Sequence, residues 1–540
     1  MADREVPVLI VGGGPAGLAT ALFLRRHGIE CLLAERHPGT SPLPRATGIH
    51  ARSMELFREA GIEQQVRDAG LALVSGAEAG DDGAISRVIL RAKSLSQLEE
   101  AAVMEIGEPF SRDLSPCEPV WCGQDLMEPE LLAGAAALGA DLRFNTEVSE
   151  VSETEAGVRA TLRDRTDGST STVTAQYLVA ADGVDSGVRT QLGIGRSGAG
   201  VLDYMISVQF RADLKAVIGD RRFILAFLMS KDINGVAVCL DGKDHWMVWT
   251  AVKDVEDQAA FDDARCLALA QSAIGRTNVP LTVTGVFDWQ TTHLIADSFR
   301  SGRYFLVGDA AHTHPPHGGF GANAGMQDAH NLAWKLAAVL NGEAGEGLLD
   351  TYGDERRVVG QATADQALIR ERHRQSAAKD PGFRNFANVI VGYRYGSAAI
   401  QGGSAGGLEL DDALPATLQL DATPGTRLPH VWLTRAGAQI SSLDLTRGQL
   451  TLLVTEPNSA WLKTVTELDV PIAVQAAGAD FDDPDGVFAA SAELTAGAAL
   501  LVRPDNFVAW RLTAGDDASR STQLQSAVDA VLCRAAVTAG

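Results

Sequence analysis

The sequence predicts an α/β protein: a doubly wound, mainly parallel sheet, interrupted by an inserted, mostly antiparallel sheet and followed by a further C-terminal domain. Three observations carry this expectation. An apolar strand, a glycine-rich turn and a helix fill the opening of the chain, with a second strand ending at Glu35. Two later apolar runs, Tyr177 to Ala181 and Tyr304 to Val307, end in Asp182-Gly183 and Gly308-Asp309. Between them, from about Val201 to Trp289, short β-rich runs alternate with turn residues. At 540 residues the chain outgrows a single core, so roughly two to four domains are expected.

Each element has a local reason. Val6 to Val11 is a continuous apolar run, the pattern of a parallel strand covered on both faces. Pro15 suits a first helical position, Leu18 and Leu22 share a face, and Gly28 closes the helix behind Arg25, Arg26 and His27, which favour its negative end. Cys31 to Ala34 reads as the next strand. Phe223 to Leu228, Val236 to Leu240 and Trp246 to Val252, with the turn Asp241-Gly242, predict the antiparallel insert. A helix-rich stretch runs from Met326 to about Ala377, and the glycine-rich segment Gly402 to Gly407 predicts a boundary near residue 400. Beyond it Gln449 to Thr455 and Ala498 to Arg503 read as strands, and Thr522 to Ala535 as a helix.

Composition narrows the function. Hydrophobic residues make up 46% and charged residues 21%, the balance of a folded protein. The 46 Lys+Arg against 69 Asp+Glu give a formal charge of −23, without a basic cluster to offset it, which argues against nucleic acid and against anionic membrane surfaces as partners. The six cysteines are scattered with no C-x-x-C, which fits a reducing compartment, and the N-terminus lacks signal-peptide character, so a cytoplasmic protein is expected.

Two motifs carry chemistry. Gly12, Gly14 and Gly17 stand in a G-x-G-x-x-G register between strand and helix, giving a tight turn, a close backbone approach to a pyrophosphate, and close helix–strand packing. The helix N-terminus then offers N–H groups to phosphates, which explains how so acidic a chain can hold an anionic cofactor. Glu35 stands where it can accept from ribose hydroxyls. The second motif runs from Gly308-Asp309 through His312, His314, Pro315-Pro316, His317, Gly318-Gly319 and Gly321 to Asn323. Its glycines and prolines make a rigid loop with exposed backbone N–H groups, suited to a flat heterocycle. Asp328 and Asn331, three apart, are expected to tie the following helix to this loop.

Taken together, G-G-G-P-A-G, Asp182-Gly183 and Gly308-Asp309, in that order and at these separations, resemble the three fingerprints of the class A FAD-dependent aromatic hydroxylases, similar in architecture to para-hydroxybenzoate hydroxylase. Arg45-Ala46-x-Gly48, Arg52-Ser53-Met54-Glu55, Gln124-Asp125 and Gly308-Asp-Ala-Ala-His312 through Trp334-Lys335 look like the bacterial aromatic polyketide hydroxylases, over nearly the whole chain. Pro424-Gly425-x-Arg427-x-Pro429-His430 and Leu501-Val502-Arg503-Pro504-Asp505 resemble the thioredoxin-like domain appended to them; Cys533 is the only cysteine there, so a structural or self-associating role is expected of it.

The resemblance implies a Rossmann-type FAD-binding domain in segments of about 1–75, 110–195 and 290–400, a substrate domain of about 76–109 and 196–289, and a thioredoxin-like domain over 401–540. It implies that Gly12, Gly14, Gly17 and Glu35 hold the ADP half of FAD and that Arg36 stacks on the adenine. Gln124 and Arg45 would lie along the phosphates, with Asp182 near the joint between cofactor and nicotinamide routes. Gly308 and Asp309 would bind the ribityl-pyrophosphate stretch, and Pro316, Gly319, Gly321 and Asn323 would border the isoalloxazine. NADPH or NADH as reductant, O₂ as co-substrate and oxygen transfer through a flavin C4a-hydroperoxide onto a small-molecule aromatic substrate, a polycyclic polyketide, follow from the same likeness, with the protein a monomer or homodimer. Arg45 and His317 are the catalytic candidates: a positive charge beside the reduced ring, and a polariser of a substrate hydroxyl.

Plainer readings stand beside these. Asp182 can simply cap a turn, and Arg52 can be a surface arginine paired with Glu55. His312, His314 and His317 sit in a proline-glycine loop, so no metal site is expected, and His312 is read as a loop anchor. Trp246 and Trp249 on the insert are candidates to flank a planar ligand. Baeyer–Villiger insertion of oxygen into a ring ketone, and a non-catalytic flavoprotein that sequesters an aromatic antibiotic, remain alternatives to hydroxylation.

Overall fold

The computed structural model describes residues 4–74, 85–86, 88–100, 102–104, 111–373, 376–455, 461–512 and 520–534. The chain opens with β1 (Arg4–Val11), α1 (Pro15–Arg26) and β2 (Cys31–Ala34). Two further helices, α2 (Ala51–Ala60) and α3 (Gln124–Ala137), precede β3 (Thr170–Ala180). β1 lies between β2 and β3 and is parallel to both. The sequence shows one apolar face on α1, but Gly17 through Leu24 are buried without a break. That helix is packed against the sheet, α3 and a later helix, so no side of it meets water in the middle.

The insert follows. It comprises β4 (Arg196–Arg211), β5 (Leu225–Met229), β6 (Asn234–Cys239), β7 (His245–Val252), α4 (Asp263–Ile274) and β8 (Thr282–Ala296). In space the strands run β8-β4-β7-β6-β5, antiparallel neighbour to neighbour. The earlier segment Ile89–Ala92 adds a parallel strand beside β5, and Ala102–Met104 pairs with that in turn. The rest of the stretch read as 76–109 is only partly within the described residues. One face of this sheet is a sealed core: Val208, Phe210, Trp246 and Val248 pack with Cys266, Ala270 and Ile274 of α4.

The chain then returns to the first sheet as β9 (Tyr304–Leu306), parallel to β3, and continues as α5 (Phe320–Leu340) and α6 (Asp350–Arg372). Beyond residue 420 come β10 (Thr451–Val454), α7 (Trp461–Thr466), β11 (Ala473–Ala476), β12 (Ala499–Val502), β13 (Val508–Leu512) and α8 (Arg520–Val531). The order β11-β10-β12-β13, with β10 and β11 parallel and the others antiparallel, is a βαβ unit joined to a ββα unit, the thioredoxin-like arrangement. The predicted end of the last helix at Ala535 lies outside the described residues.

The glycine-rich stretch near residue 400 does not divide the packing. Phe320, Val359 and Ala362 share one buried cluster with Leu452, Trp461, Leu501 and Leu524. Under that cluster lies a fully buried charge network. Arg503 clamps Glu355 through two bonds of 2.6 and 2.8 Å and reaches Asp505 at 2.6 Å; Lys335 donates to Glu355 at 2.8 Å. Arg52 is a correction to the sequence reading. It pairs with Glu55 at 2.8 Å as expected, but it is 2% exposed, because its other amino group donates to the Asp505 carbonyl of the C-terminal unit. A helix surface that looks solvent-facing in sequence is covered by chain four hundred and more residues later.

Candidate active site

Three separated stretches meet above the C-terminal edge of the parallel sheet. At the first turn, Gly12 has φ +103°, and a Cβ there would lie 2.3 Å from the Ala181 carbonyl oxygen; at Gly17 a Cβ would lie 2.0 Å from the Gly12 oxygen. These two are fixed by the protein's own packing. Gly14 is different: a Cβ would meet nothing within 4 Å, so it borders open space. The third stretch closes on the same place. A Cβ on Gly308 (φ +58°) would come within 2.9 Å of the Ala16 Cβ, which fixes the Gly308-Asp309 turn against the first turn of α1.

Helix ends add positive potential. α1, α3 and α5 begin at Gly14, Gly123 and Gly319, and none has a side-chain cap. The first N–H groups of each helix are orphans unless water or a ligand takes them, and together they favour an anion. Such an end suits the diphosphate of a dinucleotide without any net basic charge.

Carboxylates occupy the other edge. Glu35 ends β2, buried, and accepts from the Gly13 N–H at 2.6 Å and the His37 N–H at 2.7 Å. Arg36 beside it is exposed. Glu128, one turn into α3 and 1% exposed, accepts from Gln124 at 2.7 Å and from the Ser41 N–H at 2.6 Å. Burial raises its pKa, Glu35 raises it further, and Gln124, Ser41 and Arg45 oppose that. Arg45, exposed on its loop, also acts on Asp309, whose pKa is raised chiefly by burial and held down by His312 and Arg45. Asp309 is open at its surface although walled by protein, as a carboxylate lining an interior cleft must be. The fold thus gathers Glu35, Arg45, Gln124 and Asp309 round one cleft, with Glu128 as a further member that no motif singles out.

The loop before α5 is held from below. Asp328 accepts from the Gly308 N–H at 3.1 Å, from His312 Nε2 at 2.7 Å and from Arg356 Nε at 2.7 Å. His312 is therefore the loop anchor that its position suggests. Asn331 turns the other way, donating to Glu355 and Asp505, so only Asp328 of that pair ties helix to loop. Asn323 spends its amide on the protein: it accepts from the His50 N–H and Ser53 Oγ and donates to the Gly48 and Gly319 carbonyls. Its side chain thus fixes the loop that carries Pro316, Gly319 and Gly321 and has no polar atom left over. Asp182 Oδ2 accepts from the Val188 N–H, the turn-capping role.

Facing this loop is the second face of the insert. His317 stacks on Phe227 with centroids 6.2 Å apart and 9° between planes, and its Nδ1 contacts Glu371. Phe227, Leu225 and Trp249 are half-buried around a small apolar cluster with Trp121, Val236 and Val238. Of the tryptophan pair, Trp246 is a correction: it is 1% exposed, in the core against α4 and Phe223, because alternation along β7 sends it to the opposite face. Trp249 stays on the cleft side. Among the described residues no group of His, Cys, Asp and Glu is arranged to hold a metal, and no helix is long and apolar enough to cross a membrane.

An open glycine turn, uncapped helix ends and the buried Glu35 carboxylate, beside a half-buried apolar sheet face, are the features of a dinucleotide-binding enzyme. The FAD binding domain family matches residues 5–367 and the aromatic-ring hydroxylase C-terminal family matches residues 421–535, and the chain belongs to the FAD-dependent aromatic-ring monooxygenases. It is 43% identical to tetracenomycin A2 monooxygenase-dioxygenase of Streptomyces glaucescens over 100% of this chain and 99% of that protein. It is 42% identical to tetracenomycin B2 monooxygenase-dioxygenase of Streptomyces olivaceus over 98% of this chain and 99% of that one. A crystal structure of aklavinone-11 hydroxylase in a ternary complex with FAD and aklavinone superposes with a TM-score of 0.87 at 34% identity, covering 99% of this chain and 100% of that chain.

Proposed function

We propose that the chain uses NAD(P)H, FAD and O₂ to hydroxylate a polycyclic aromatic polyketide. The observation that carries this is the meeting of the Gly14 cradle, the Asp309 cleft and the His317 loop with a half-buried apolar sheet face; the named actions of its relatives on tetracenomycins and aklavinone support the substrate class. FAD, when bound, supplies the oxidising chemistry that moves one oxygen atom of O₂ onto the ring.

The residues have separable tasks in this reading. Gly12, Gly14, Gly17 and the α1 N-terminus receive the pyrophosphate, Glu35 the ribose, and Arg36 the adenine. Gln124 and Arg45 would serve the phosphates, with Asp182 near the joint between the cofactor and nicotinamide routes. Gly308 and Asp309 take the ribityl hydroxyls, and Pro316, Gly319 and Gly321 border the ring, with Asn323 bracing the loop. Arg45 places positive charge toward Asp309 and would stabilise negative charge on FAD when that is bound. His317, paired with Glu371 and stacked on Phe227, polarises a substrate hydroxyl, and the apolar wall excludes water.

The test is to purify the chain, record its visible spectrum, and follow NADPH oxidation with and without polycyclic phenols under ¹⁸O₂. A yellow protein that adds one ¹⁸O atom to an aromatic carbon is expected. A ring-expanded lactone would replace hydroxylation by Baeyer–Villiger insertion, and no added oxygen would leave a sequestering flavoprotein. Asp309→Ala is expected to lose FAD; full retention with intact turnover would refute the assignment of the cleft.

A further inference from the structure

We propose that Trp121 and Gln209 form a recognition site for an acceptor oxygen of the substrate, a quinone carbonyl or a phenolic oxygen, at the end of the chamber away from His317. This rests on the reading of the chamber as the aromatic-substrate site.

The register of the sheet locates the pair. On the cleft face, Phe227 lies opposite Val236, Val236 opposite Trp249, and Trp249 opposite Ser207. Two residues along, Val238 lies opposite Met247 and Met247 opposite Gln209. The two rows are about 7 Å apart, within the length of a three- or four-ring polycycle. His317 stacks on the first row, at Phe227. Trp121 arrives from the FAD-binding side and packs with Val236 of the first row and Val238 of the second.

Their polar atoms are unmet. Trp121 is 8% exposed and Gln209 7%, yet among the described residues neither Trp121 Nε1 nor Gln209 Nε2 has a hydrogen-bond partner. Leaving a buried donor unpaired forfeits its bond to water, so folded proteins keep few of them. Local scarcity of acceptors is not the reason: on the same face Trp289 Nε1 donates to Ser207 Oγ at 2.9 Å. His245 Nε2, two residues further along β7 on the same face, also has no partner among the described residues. An indole N–H only donates, which fixes the sign of the missing group: the ligand atom must accept. A carbonyl or phenolic oxygen meets that requirement and a plain hydrocarbon edge does not. A site built to hydrogen-bond one oxygen also discriminates strongly against analogues lacking it.

The experiment uses the FAD-loaded full-length chain and two probes, 1,8-dihydroxyanthraquinone and anthracene, titrated by fluorescence. Trp121→Phe keeps the ring and removes the N–H; Gln209→Met keeps the length and removes the amide. Each is expected to weaken anthraquinone binding about tenfold or more while leaving anthracene within twofold. Equal loss for both probes would reduce the residues to packing and overturn the proposal, as would no loss for either, or a wild-type chain that does not bind the anthraquinone. The visible spectrum separates the failures: a yellow chain without discrimination sinks this inference alone, whereas a chain that binds no FAD sinks the reading beneath it.

Discussion

Replacing Arg503 with methionine probes how the C-terminal unit supports the cleft. The guanidinium is fully buried and makes four bonds to two carboxylates: 2.6 and 2.8 Å to Glu355, 3.1 and 2.6 Å to Asp505. Arg503→Met leaves Glu355 with Lys335, Asn331 and Ser397, and strands much of the negative charge in a dry interior. Removing one partner of a buried pair costs about 3–5 kcal/mol, a large part of the roughly 5–15 kcal/mol that holds a typical protein folded. With m of about 3 kcal/mol per M, the urea midpoint falls by on the order of 1 M. The loss should also reach the cofactor. Glu355 is followed in α6 by Arg356, whose Nε holds Asp328, and Asp328 holds the Gly308 N–H and His312. Circular dichroism and flavin fluorescence followed together in urea should therefore show FAD released at or before the loss of helix. Adding Glu355→Gln should recover part of the penalty, since a neutral amide costs less to bury than an unpaired charge. An unchanged midpoint in Arg503→Met, or a double variant worse than the sum of the singles, would refute this reasoning.

Other expectations follow from the same geometry. Gly14→Ala should leave the apo fold within about 1 kcal/mol, since φ is −76° and nothing lies near the new Cβ, but should weaken FAD binding tenfold or more; a spectral titration reads this directly. Gly17→Ala should instead destabilise the fold itself, because its Cβ would collide with the Gly12 oxygen, and apo and FAD-loaded melts should both fall. His50 and His430 are lowered to about 4, foremost by burial, with Arg370 and Arg427 respectively acting in the same direction. The unfolded chain binds those protons first, so the stability they carry is complete above pH 6.5 and is lost as pH falls toward 4; urea midpoints at stepped pH should decline through that window, and His430→Gln should flatten the decline.

Features that depend on neighbours along the chain are readable from the residues alone. The strand, glycine turn and helix from Val6 to Arg26 were legible because G-x-G-x-x-G, Pro15 and an apolar run are local constraints, and the structure puts Gly12 and Gly17 in contacts only glycine tolerates. The turn Asp241-Gly242 and the alternating runs beside it were legible for the same reason. The strands after residue 449 were too, and the family resemblance added the three-part order of the fingerprints. Which side chains meet depends instead on contacts between distant segments. Arg52 looked like a surface residue until the Asp505 carbonyl covered it. Trp246 and Trp249 read alike in sequence and were divided by the pleat of β7 and by α4 lying on one face. Glu128, Glu355, Arg356 and Glu371 sit in ordinary helical sequence and carry no motif; their importance comes from partners brought together by folding, and burial then makes each charge matter far more than it would in water.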